Sequence, residues 1–190
     1  MNTSRLETFS DGVMAVIITI MVLGLKVPSG ASIYDLKPLL PNFLIYALSF
    51  LMLGIYWNNH HQLLRATKKV TSGIMWSNLL LLFCLSLIPF FTNWFGQHHA
   101  ATVPTAAYGT VLLAAAIGYW TLLQSILKSD KRGIIRKAVG NDLKGNISLL
   151  SYLVSIPLAF VRPWLSIILF VFVAIIWFIP DKRLESVIED

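Results

Sequence analysis

Hydrophobic positions in this chain come in long uninterrupted runs. Stretches of about 17 to 25 apolar residues recur between short polar segments, the length a helix needs to cross a hydrocarbon core roughly 30 Å thick. The runs predict six spanning helices at about 5–26, 38–62, 73–95, 104–127, 146–161 and 164–179. Too little sequence remains for a soluble domain. Residues 1–190 therefore read as one all-α, six-helix transmembrane domain followed by a polar tail, Asp181 to Asp190.

Features inside the runs refine the elements. Pro89 removes a backbone donor and predicts a kink in the third span. Ala114, Ala115, Ala116 and Gly118 give the fourth span a small face that should pack closely against a neighbour. The fifth span is short, with Pro157 and a polar stripe of Ser148, Ser151 and Ser155, and Arg162-Pro163 predicts a tight turn after it. Ile134-Ile135 beside Arg136-Lys137 suggests a short interfacial helix within the basic segment Lys128 to Lys144. Trp57, Trp76, Trp94, Trp164 and Trp177 fall near span ends, as an aromatic belt requires. No internal duplication is visible, so an inverted-repeat transporter is not indicated.

The first run, Arg5 to Leu25, is the unusual one, because Phe9-Ser10-Asp11-Gly12 opens it. A carboxylate deep in a spanning helix costs roughly 2.5 to 3.5 kcal/mol and must face protein or water. Two helix starts are open. Ser4 and Glu7 in capping-box spacing place Asp11 about two turns inside the helix, whereas Ser10 or Asp11 as N-cap starts it at Gly12. Beyond Asp11, Val16, Ile20 and Leu23 follow at steps of four and three and stack on one side, with Thr19 beside them. Copies of that face around an axis would make apolar rings with one hydroxyl ring among them.

Composition agrees with the pattern: 56% of residues are hydrophobic and 13% charged, with a mean hydropathy of +0.72. The net charge of +6 raises the question of nucleic acid, and its distribution answers it. With the N-terminus inside, all Lys and Arg except Lys26, Lys37 and Arg162 fall on the inner face. That is the positive-inside bias; it implies cytoplasmic N- and C-termini and no nucleic-acid partner. Anionic lipid headgroups at the inner basic segment are the expected contact. The first run lacks a small-x-small cleavage site and a basic entry, so it is expected to persist rather than be cleaved. The single Cys84 lies mid-span and reads as a small core hydrophobe.

Topology gathers polar groups at one depth. Arg5, Ser10 and Asp11 stand at the inner end of the first helix, His60 and His61 end the second, and Asn78 opens the third. Asp11 is expected to accept a hydrogen bond from a histidine, Asn78 or Arg5, tying the first helix to its scaffold. No metal site is expected: adjacent His60 and His61 diverge by about 100° on a helix. His98-His99 reads as an ordinary wet loop. No phosphate loop or nucleophile elbow is present, which argues against an enzyme.

Arg5, Phe9, Ser10, Asp11, Gly12 and Thr19 together match a pattern of Arg, three residues, then Phe-Ser-Asp-Gly leading into an apolar helix with a threonine. In this the segment resembles the transmembrane protein 175 family of potassium-selective channels. The resemblance implies a bacterial-type homotetramer of six-helix chains, with the first helix of each subunit lining a central pore. It implies a constriction at Val16, Ile20 and Leu23, where Val16 is shorter than the family's usual Ile or Leu, and a potassium preference at Thr19. It makes Arg5, Phe9, Ser10, Asp11, Gly12, His60, His61 and Asn78 a signature and inner-mouth network, with potassium as permeant ion and no cofactor. A bacterial plasma membrane is the implied location. The alternatives are a proton-coupled carrier relaying through Asp11 and the histidines, and a non-conducting scaffold.

Overall fold

The computed structural model describes residues 2–98, 101–131 and 133–178. His99, Arg132, the end of the last span at Ile179 and the tail from Asp181 lie outside the described residues. All regular structure among the described residues is helical.

Helix α1 runs Thr3–Val22, and its N-cap is Asn2, whose side chain accepts from the Ser4 N–H. Ser4 and Glu7 therefore form no capping box, and a start at Gly12 is excluded. Asp11 still lies two turns inside the helix. The helix ends before the expected residue 26: the N–H groups of Leu23, Gly24 and Leu25 bond three residues back, to Ile20, Met21 and Val22, which tightens the last turn and closes it. Gly24 sits there against Asn93, whose Cγ would be 3.1 Å from a Cβ at this position.

A 3-10 segment, Ile33–Leu39, follows with a complete capping box between Ser32 and Asp35. Helix α2 spans Leu40–Arg65. The third run is two helices, α3 Ser72–Ser86 and α4 Ile88–Gln97, broken at Leu87. Pro89 explains the break, since it has no N–H for the carbonyl one turn earlier and its ring crowds that turn. Helix α5 is Thr102–Ser129 and α6 is the short helix Ile134–Val139 expected in the basic segment. Asp130 shapes the entry to α6 by accepting from the N–H groups of Gly133, Ile135 and Arg136. Helix α7, Leu143–Val161, starts three residues earlier than expected because Asp142 caps it. A one-residue turn at Arg162 leads into α8, Pro163–Phe178.

Among the described residues, four helical stretches, 33–65, 72–97, 102–129 and 143–161, are long and apolar enough to cross a membrane; α8 is apolar but shorter. The chain is a multi-pass, all-α membrane protein. Helix α5 stands at the centre and packs against α3, α4, α7 and α8, while α1 leans on α2, α3 and α4 at the margin of the bundle. The small face of α5 does what its composition requires. A Cβ on Gly118 would lie 3.0 Å from the Leu81 Cα, so only hydrogen there lets α3 approach. The serine stripe of α7 turns inward to α8: Ser148 accepts from the Trp177 indole at 2.8 Å, and Ser166 donates to the Ser155 carbonyl at 2.7 Å. Trp177 is thus tied into the bundle rather than standing only as a belt residue. Farther along the bundle, Ser49 donates to the Ile45 carbonyl and accepts from Thr92 and Tyr108, each at 2.8 Å. This buried hydroxyl cluster pins α4, on the far side of its proline break, to α2 and α5.

Candidate functional site

The two sides of α1 differ in kind. Leu6, Ser10, Met14, Ile17 and Met21 recur at steps of four, four, three and four and are buried against α2, α3 and α4. The opposite side carries Val16, Ile20 and Leu23, with exposures of 53%, 50% and 80%. Thr19, Phe9, Gly12 and Arg5 are exposed as well. The aliphatic stripe read from the sequence therefore points away from the chain's own core. Leu23 belongs to the stripe as the C-cap of α1, one residue past its last helical turn.

This side lines an open groove of about 910 Å³, walled on the other flank by Ser86, Pro89, Phe90 and Asn93 of α3 and α4. Among the described residues, nothing outside the helix's own backbone lies within 4 Å of a Cβ placed on Gly12. Thr19 donates its hydroxyl proton to the Val16 carbonyl at 2.9 Å. Its oxygen lone pairs are thereby left as acceptors on the exposed side.

Polar groups fasten the N-terminal third of α1 to the bundle. Ser10 is fully buried; it donates to the Leu6 carbonyl at 2.8 Å and accepts from the Asn78 amide at 3.0 Å. The Asn78 carbonyl oxygen lies 2.7 Å from Nε2 of His60, which is also fully buried. Because Asn78 donates to Ser10, its oxygen is the acceptor and His60 Nε2 carries the proton, an assignment set by the network. Asp11 does not take the expected partners. Its Oδ1 accepts from the Trp57 indole N–H at 3.0 Å. His61 Nδ1 stands 2.7 Å from Oε1 of Glu7, off the line of a straight hydrogen bond. Thr3 adds a bond to the Thr67 carbonyl at 3.2 Å.

Ser10, Asn78 and His60 thus form one buried line across α1, α3 and α2. Asp11, Glu7, His61 and Trp57 form a second, partly exposed cluster beside it. Arg5 stays exposed at the start of the helix. Trp57 and Glu7 were missed as members. Both were signalled by spacing, since Trp57 precedes His61 by one helical turn and Glu7 precedes Asp11 by one.

Comparison with known proteins finds relatives in sequence and in fold. The family model for the endosomal/lysosomal potassium channel TMEM175 matches residues 5–89. A potassium channel of Chryseobacterium sp. (strain P1-3) is 47% identical over 191 residues, covering all of both chains. A potassium channel of Streptomyces collinus is 32% identical over 180 residues, 88% of this chain and 87% of the relative. The crystal structure of a lysosomal potassium-selective channel TMEM175 homologue from Chamaesiphon minutus superposes with a TM-score of 0.80. At 28% identity it covers 95% of this chain, which covers 98% of it.

Proposed function

The chain belongs to the TMEM175 family, and from that premise we propose that it is a potassium channel in which four copies of α1 surround a common pore. The observation that carries this reading is the outward stripe of Val16, Ile20 and Leu23 on a helix whose other side is sealed into the bundle. Four-fold assembly brings copies of this stripe together around one axis. Three aliphatic rings then narrow the pore and set its hydration, as a hydrophobic constriction does.

Thr19 lies between the Val16 and Ile20 rings with its lone pairs unspent, which suits a cation that has shed part of its water. The buried Ser10-Asn78-His60 line and the Asp11-Trp57 bond hold the pore helix to its scaffold. In this reading the chain crosses the membrane six times, with α1 and α8 counted among the spans and both termini cytoplasmic. The concentration of Lys and Arg on one face supports that orientation in a bacterial plasma membrane, with anionic headgroups against the basic segment from Lys128 to Lys144.

Purified protein in potassium-loaded liposomes tests the proposal. A channel gives passive flux that follows the imposed voltage. Saturable flux coupled to a proton gradient replaces this reading with a carrier, and no flux replaces it with a scaffold. Val16→Ala widens the proposed constriction and is expected to raise conductance; unchanged currents would take Val16 out of the pore.

A further inference from the structure

Glu7 and Asp11 stand one turn apart on α1, and His61 reaches them from α2. One donor atom from each lies within 4.8 Å of the other two. All three side chains are partly exposed, so an ion can arrive with water still attached. Trp57, one turn before His61 on α2, fixes two of the three. Its indole N–H holds Oδ1 of Asp11, and its ring stacks on the imidazole with centroids 5.9 Å apart and an interplanar angle of 25°. A second group that orients ligands in this way is the usual companion of a metal site.

Two carboxylates and an imidazole on two helices form a three-donor set that leaves room for water as a fourth ligand. That is the ligand type and number of an open zinc site. The imidazole matters for selectivity, because magnesium and calcium prefer oxygen alone while zinc and its first-row neighbours accept nitrogen. We propose that Glu7, Asp11 and His61 bind a divalent transition-metal ion, zinc in the first instance, which clamps the first turns of α1 to the end of α2. The site lies within one chain and stands whether or not α1 lines a pore.

Titration calorimetry with zinc chloride on the chelator-stripped full-length protein in nanodiscs tests this. One ion per chain is expected, with millimolar magnesium unable to displace it. His61→Ala weakens binding at least 100-fold, Trp57→Phe weakens it about 10- to 100-fold, and His61→Cys, which supplies another zinc ligand, restores it. Glu7→Gln guards against a folding defect: zinc raises the thermal midpoint of the wild type, and the nearly isosteric variant loses that rise while keeping its metal-free midpoint. Equal zinc affinity in wild type and His61→Ala overturns the proposal. So does loss of the ion in the His98→Ala, His99→Ala double variant, or displacement by magnesium.

Discussion

The indole nitrogen of Trp57 donates to Oδ1 of Asp11 across 3.0 Å, joining α2 to α1 through the one carboxylate set two turns into the first helix. A negative charge at that depth needs a donor, and this one arrives on a side chain that also packs against His61. The bond therefore satisfies Asp11 and sets the lateral position of α1 together.

Trp57→Phe keeps most of the ring and removes only the N–H. Hydrogen bonds to charged groups contribute about 1.5 to 3 kcal/mol when buried. Trp57 is 44% exposed, so solvent reduces the expected loss to about 1 kcal/mol. Differential scanning fluorimetry should register a fall of about 2 to 4 °C for a chain of this size. An unchanged midpoint would assign the anchoring of Asp11 to another group.

Asn78→Ala is the costlier change. It strands the buried His60 N–H and leaves Ser10 without its donor. Each stranded buried group costs about 1 to 3 kcal/mol, and the missing amide adds a void. Denaturant unfolding in detergent is expected to show a loss of about 3 kcal/mol, larger than for Ser10→Ala, which breaks one bond of the line instead of two.

Glycines 12 and 118 should respond in opposite ways. Gly118→Ala drives a Cβ to 3.0 Å from the Leu81 backbone, so α3 and α5 separate and the thermal midpoint falls. Gly12→Ala meets no atom of the described residues beyond its own helix backbone and gains up to about 1 kcal/mol of helix propensity. The subunit fold is expected to persist. Weaker assembly of Gly12→Ala on native gels would show that a second copy approaches this position.

Thr19→Val preserves shape and deletes the exposed oxygen. Under the proposed pore, the preference for potassium over sodium is expected to drop toward unity in reversal-potential measurements, with protein yield and thermal midpoint unchanged. Ile20→Asn makes the neighbouring ring polar and is expected to raise the resting leak. A variant at Thr19 with full selectivity would move the filter elsewhere.

The helical runs, the proline break near residue 89 and the close approach at Gly118 were all readable from composition and period, because each follows from local chemistry. The partners at the N-terminal end of α1 were readable only in part. Depth brought Ser10, Asn78 and His60 to one level, and they do meet. The partner of Asp11 was misassigned because Trp57 stands at a span end, where an aromatic residue already has an explanation. The carboxylates themselves were visible one turn apart, but two histidines in sequence drew attention to each other, when only His61 turns toward them. The hydroxyl cluster of Ser49, Thr92 and Tyr108 was invisible, since single hydroxyls on three spans carry no period. Ser4 misled for a different reason: Asn2, two residues earlier, is as good an N-cap and takes the Ser4 N–H itself.

Every polar tie described between α1 and its neighbours falls between Thr3 and Asp11; past that point Met14, Ile17 and Met21 hold it by apolar packing alone. Apolar surfaces slide where hydrogen bonds do not. Helix α1 is thus mounted like a lever with its fulcrum at one end. Any tilt about that fulcrum carries Leu23 through a wider arc than Ile20, and Ile20 through a wider arc than Val16.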